Sequence, residues 1–246
     1  MNECEKYSTE WCISAEHFLA NGNYDWMCSQ INAYNTILEI GCGTGQSTLS
    51  LIRKGHTVIV VEKNKYCIQK AIEYIKSAGV STCTDITLLN EHSVLFIEDD
   101  ITSENFISNI LPILSFDMVI CWNVGTYWDK RMFQSYMPKL LNYGLSLEQI
   151  KDNPESSYGE LIIWFACQIA TSKNAALNIV DRGVNKLTRF NDPYYSALKR
   201  EFSFRKIKYK NLKATSISAG GRQLITKGKV DNEKEIPINF ISITLK

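Results

Sequence analysis

Histidine is scarce in this chain, with 3 among 246 residues, and none completes a zinc spacing with the 8 cysteines, no two of which stand as CxxC. Neither a metal site nor a disulfide framework is therefore expected, and in a reducing compartment the cysteines read as free thiols, several packed as small hydrophobes. Long apolar runs are missing too. The strongest, LIIWFACQIA from Leu161, stops short of the ~20 residues that a membrane-spanning helix needs. The opening stretch, MNECEKYSTEW, carries acidic groups and no apolar core, so it lacks the pattern of a secretory signal. A cytoplasmic chain with no membrane partner is the expectation. A large excess of one charge is also lacking, with 27 Lys/Arg against 26 Asp/Glu, but the balance is uneven. Residues 1–181 carry 12 basic and 21 acidic side chains, while residues 182–229 carry 13 and 2. Such a basic segment can mark contact with RNA or another anion.

What is present is a rhythm. From residue 36 onward, short apolar runs alternate with helical patterns, the signature of βαβ units on a parallel sheet. Strands are expected at 36–40, 56–62, 94–100, 116–122, 160–166, 204–214 and 238–245. Helices are expected at 46–53, 67–78, 102–114, 130–141 and 191–202, with a polar loop over 143–159. The first 35 residues, rich in aromatics such as Tyr7, Trp11, Phe18, Tyr24 and Trp26, read as helices packed ahead of the sheet.

The chemistry concentrates in TILEIGCGTG, residues 36–45. A strand that ends in Gly41-x-Gly43-x-Gly45 and enters a helix places its ligand outside the carboxyl end of the sheet. Glycines suit a tight turn that a ligand approaches without a Cβ in the way. A dinucleotide fingerprint needs its third glycine three positions after the second, where this chain has Gln46, so that pattern fails. Glu39 lies two residues before Gly41, and a carboxylate there suits a cation better than a pyrophosphate. Glu62 ends the second strand, 21 residues beyond Gly41, where a carboxylate can accept from both hydroxyls of a ribose.

The pattern E-x-G-x-G-x-G closely resembles motif I of class I S-adenosylmethionine-dependent methyltransferases, and the likeness extends over about residues 36–128. It implies an α/β fold with a seven-stranded, mostly parallel Rossmann-like sheet, an antiparallel C-terminal strand and helices on both faces. Residues 36–246 would form the methyltransferase domain and residues 1–35 a helical extension or lid, with the loop 144–158 a second lid candidate. By the same resemblance, Gly41, Cys42, Gly43 and Gly45 cradle the amino-acid end of the cofactor, Glu39 is linked to its ammonium, and Glu62 with Lys63 receives the ribose. Asp100 accepts from the adenine amino group beside Asp99 and Ile101, in a register open by one residue. The acidic pair also reads as a cap for a helix starting near Thr102.

FDMVICWNVGTYW, residues 116–128, resembles the family's fourth motif. Asp117 would be structural, and Cys121, Trp122 and Asn123 would border cofactor and substrate. Tyr127 and Trp128 either shape the acceptor pocket or open a helix that packs under the amino-terminal segment. No NPPY or DPPY exit is present, which disfavours adenine-N6 and glutamine-amide acceptors.

Methyl transfer from a sulfonium is a single displacement, so alignment in a dry site matters more than any one catalytic group. The resulting reading is a methyltransferase acting on a small-molecule acceptor. Two rivals stand beside it: a methyltransferase acting on RNA or protein through residues 182–229, and a non-catalytic domain that binds the same cofactor. Lys206, Lys208 and Lys210 form a row that could meet RNA phosphates or could guard an edge strand against unwanted pairing.

Overall fold

The computed structural model describes residues 2–89, 94–124, 133–217, 221, 225–226, 229–230 and 235–246. Thr36–Ile40 (β1) is buried along nearly its whole length, as a strand covered on both faces must be. Alternation sends Ile37 and Glu39 to one face of the sheet and Leu38 and Ile40 to the other. Parallel neighbours flank it: Thr57–Glu62 (β2) on one side and Met118–Trp122 (β5) on the other.

The sheet runs β3-β4-β2-β1-β5-β6-β10-β7. Here β3 is Thr82–Cys83, β4 Val94–Glu98, β6 Ala176–Gly183, β7 Ile207–Ile217 and β10 Glu235–Leu245. β10 is antiparallel to both β6 and β7, and the others are parallel. The sheet thus has eight strands where seven were expected. The addition is β3, a two-residue edge that pairs only with Val94 and Leu95 and is too short to leave a periodic trace in the sequence. Ile225–Thr226 (β8) and Lys229–Val230 (β9) form a separate ribbon.

Helices cover both faces. On the Glu39 face lie Glu3–Ala20 (α1), Asn23–Ser29 (α2), Gln46–Arg53 (α3) and Lys65–Ser77 (α4). The stripe Tyr7, Trp11, Ala15 and Phe18 of α1 is buried at helical spacing, and Phe18 meets Phe240 edge-on at 5.1 Å. On the opposite face lie Phe133–Tyr143 (α5), Leu147–Asp152 (α6), Pro154–Ser172 (α7) and Tyr194–Glu201 (α8). No described helix is long and apolar enough to cross a membrane.

Three expectations are corrected. Residues 160–166, ELIIWFA, are no strand; they lie inside α7. A short apolar run reads the same in a buried helix as in a buried strand, and Pro154 at the first helical position marks the true start. The polar loop over 143–159 holds α6, which begins with a capping box between Ser146 and Gln149. The fifth long parallel strand is instead Ala176–Gly183, hidden by Asn178. That residue is fully buried, receives the Trp122 indole N–H at 2.7 Å, and donates to Ser242 and Thr244 at 2.9 Å. Residues 102–114 form a π-turn at Phe106–Ile110 and a 3-10 turn at Leu111–Ile113 rather than one α-helix.

Candidate cofactor site

Strand order reverses around β1, whose neighbours are β2 and β5. Ligands of open α/β sheets sit outside the strand ends at such a point. The loop that follows β1 turns sharply there. Gly43 has φ +55°, and a Cβ built on it would stand 1.9 Å from Nε1 of Trp11. Gly45 has φ +93°, and its Cβ would meet the Ala71 Cα of α4 at 2.9 Å. Left-handed backbone and missing side chains are both required, so glycine is the residue that closes this loop under α1 and against α4.

Glu39 points from β1 into the start of α3, where it is 2 % exposed. Its two oxygens accept from the Ser47 hydroxyl at 2.5 Å and the Thr48 hydroxyl at 2.6 Å. Burial pushes its carboxyl up to about 7 despite those two donors, and the nearby Glu62 adds to the rise. Glu62 accepts from the Asn64 N–H at 2.8 Å and the Gly43 N–H at 3.3 Å. Burial raises its carboxyl as well, against the lowering effect of the Asn64 N–H and the Lys63 ammonium. Two desolvated carboxyls thus flank one glycine loop, and among the described residues neither forms a salt bridge.

The other end of the cleft has the opposite character. Asp100 Oδ2 accepts from the hydroxyls of Tyr136 in α5 and Tyr158 in α7, while Oδ1 accepts the Thr102 N–H at 2.8 Å. The Lys63 ammonium stands 4.0 Å from Asp100 Oδ2 and 3.7 Å from the Tyr158 ring centroid. Burial alone would raise Asp100, but Lys63 and the two tyrosine hydroxyls outweigh it and hold the carboxyl below its ordinary range. Asp99 accepts from the Asp100 N–H at 2.7 Å and the Asn105 amide at 2.8 Å. Both acids are therefore already engaged, and Asp100 makes the turn-capping bond to Thr102 that the sequence allowed as an alternative.

Ile40, Gly41, Glu62, Asp100, Ile101 and Tyr158 are among the residues that enclose a cavity of about 50 Å³. That is room for one or two waters. The expected residues Gly41, Glu62, Lys63, Asp99, Asp100 and Ile101 do come together around it. Cys42 is buried, as is Gly45.

At the end of β5 the expected residues part company. Cys121 lines a second, larger cavity of about 570 Å³ beneath α7 and α8, and Val124 lines both cavities. Trp122 is 4 % exposed and points to the other face, where its indole is held by Asn178. Asn123 has φ +49° and is buried, and neither atom of its side-chain amide has a hydrogen-bond partner among the described residues. Asp117 accepts the Asn35 and Thr36 N–H groups at 3.0 and 2.9 Å, tying the starts of β5 and β1 together. Tyr127 and Trp128 lie outside the described residues.

Residues 38–137 match the family model described as a methyltransferase domain. Over that stretch the chain is similar to a methyltransferase domain. The YcgJ protein of Bacillus subtilis has a similar fold, with a TM-score of 0.53 and 13% identity over 92% of this chain and 98% of that one. The magnesium protoporphyrin IX methyltransferase of Synechocystis PCC 6803, solved with bound SAM, aligns at a TM-score of 0.46 and 11% identity over 94% of this chain and 80% of that one. Among curated proteins none matches the sequence.

Five residues of the candidate site were not read from the sequence. Ser47 and Thr48 hold Glu39, Trp11 covers Gly43, and Tyr136 and Tyr158 occupy Asp100. Ser47 and Thr48 had a readable signal, hydroxyls in the first turn after a glycine loop whose strand carries a buried acid. The three aromatics come from elements far away in sequence and had none.

Proposed function

We propose that the domain methylates a small-molecule acceptor held in the cavity beneath α7 and α8. The observation that carries this reading is the size and place of that cavity. Its volume of about 570 Å³ falls in the range of small-ligand sites, about 300–1,000 Å³, and it meets the cofactor cleft at Val124.

The residues present fit S-adenosylmethionine at its methionyl and ribose ends. A glycine loop that leaves no room for a Cβ and two desolvated carboxyls suit a charged amino-acid tail and a diol. When bound, the cofactor supplies an electrophilic methyl on a sulfonium. Glu39 receives the ammonium, relieving its own burial, and Glu62 accepts from the ribose hydroxyls. Trp11 and α1 cover the loop, so the first 35 residues serve as a lid over that end and help to exclude water. Asp100 meets the adenine amino group once Tyr136 or Tyr158 gives up its bond. The protein's contribution to rate is then alignment and dryness.

The exposed Lys206, Lys208 and Lys210 lie on or next to β7, an edge strand four places from β1, or roughly 19 Å at ~4.8 Å per strand. That distance favours edge protection over delivery of RNA to the cleft. Calorimetry with S-adenosylmethionine, its demethylated product and NAD tests the cofactor set, with heat expected from the first two alone. Transfer of labelled methyl groups from a cell extract's low-molecular-mass fraction, its RNA and its protein tests the acceptor. Label in the small-molecule fraction is expected, and label confined to RNA or protein overturns the reading.

A further inference from the structure

The walls of the larger cavity carry more than volume. Glu155 and Glu160 reach it from α7, and Asp181 from β6. Arg182 is the one cation among its described lining residues, but alternation along β6 sends that side chain to the opposite face. There its guanidinium carbon stands 5.9 Å from the ring centroids of both Trp11 and Phe18. Among the described residues, Glu160 and Asp181 leave carboxylates facing the cavity. Tyr194 and Tyr195 add two aromatic rings, and the Tyr195 hydroxyl donates to Asp181 at 3.4 Å.

Glu160 has no cationic partner among the described residues, and burial alone raises its carboxyl. Asn123, next to Val124 of the lining, has a buried amide with no hydrogen-bond partner among the described residues.

We propose that this cavity takes an acceptor bearing a cationic amine, with Glu160 and Asp181 as its counter-charges and the tyrosine rings as its walls. The inference rests on the acceptor site proposed above. A half-desolvated carboxylate gains from an ammonium what it cannot gain from a neutral group, and an ammonium over a tyrosine ring gains further. The same carboxylates repel a carboxylate or phosphate ligand.

The test uses the full chain saturated with the demethylated cofactor, and three probes of matched size: phenethylamine, 2-phenylethanol and 3-phenylpropanoate. Calorimetry at low salt is expected to show the amine binding at least about tenfold tighter than the alcohol, with the carboxylate weakest, as a hydrogen bond to a charge implies. Glu160→Gln combined with Asp181→Asn should abolish that preference while affinity for the demethylated cofactor stays within about twofold. Equal binding of amine and alcohol, binding of none of the three, or a preference that survives the double substitution overturns the amine reading alone. Failure of the demethylated cofactor to bind overturns the cofactor reading, and this one with it.

Discussion

Glu39, buried behind the glycine loop, and Asp100, partly buried at the smaller cavity, are held in opposite ways. Glu39 has two hydroxyl donors and no cationic partner among the described residues, and its carboxyl is raised to about 7. Asp100 has two tyrosine hydroxyls, a backbone N–H and the Lys63 ammonium, and its carboxyl is lowered. Neutralising partners decide the sign, since burial pushes both upward. The glycine-loop end is an incomplete electrostatic site that a cationic ligand completes. The Asp100 end is complete without a ligand, so anything binding there must displace what the chain already provides.

This contrast can be broken most directly by removing the charge at the incomplete end. Glu39→Gln should lower affinity for S-adenosylmethionine about tenfold to hundredfold, the worth of about 1.5–3 kcal/mol for a hydrogen bond to a charge; titration calorimetry on the variant measures it, and unchanged affinity would refute the ammonium contact. Glu62→Ala should cost about fivefold to thirtyfold through lost hydrogen bonds to the ribose, again by calorimetry, and an affinity equal to the parent's rules the ribose role out.

The acid's own titration sharpens the same point. A carboxyl raised in the folded chain favours the fold at low pH and loses that favour as pH climbs to about 7. Ligand binding has the reverse sign, because an ammonium at Glu39 lowers its pKa and releases a proton. Affinity should therefore fall by up to about tenfold per unit as pH drops below about 7, until the carboxyl of the complex itself titrates. Affinity measured between pH 8 and pH 5.5 checks this, and a flat profile removes Glu39 from the contact. The smallest effect, with the opposite direction, belongs to the complete end. Tyr158→Phe takes one donor from Asp100, and cofactor affinity should rise about twofold to tenfold, the net worth of about 0.5–1.5 kcal/mol for one hydrogen bond. A loss of affinity would show that the hydroxyl serves the ligand instead of competing with it.

Legibility differed between these two ends for a physical reason. Glu39, Gly41, Gly43 and Gly45 lie within seven residues on one strand and turn, so local backbone geometry ties their spacing to their placement. Asp100 was legible as an acid after a strand, but its partners Tyr136 and Tyr158 arrive on α5 and α7, 36 and 58 residues away. α7 itself was half read as a strand, because LIIWFA satisfies both a buried strand and a buried helix. Ala176–Gly183 was passed over because Asn178 looks unfit for an interior that in fact supplies Trp122, Ser242 and Thr244 as partners.

By itself the sequence determined the parallel α/β class and the glycine loop with its flanking acids. These follow from short-range rules, namely the period of the apolar residues, the φ angles that glycine permits and the charge beside the turn. Tertiary structure alone decided which acid is short of a partner and which is saturated, which face of β6 each charge takes, and that a cavity opens beneath α7 and α8. Those outcomes depend on side chains brought together from distant segments, and desolvation, which sets their electrostatics, exists only once the chain has packed.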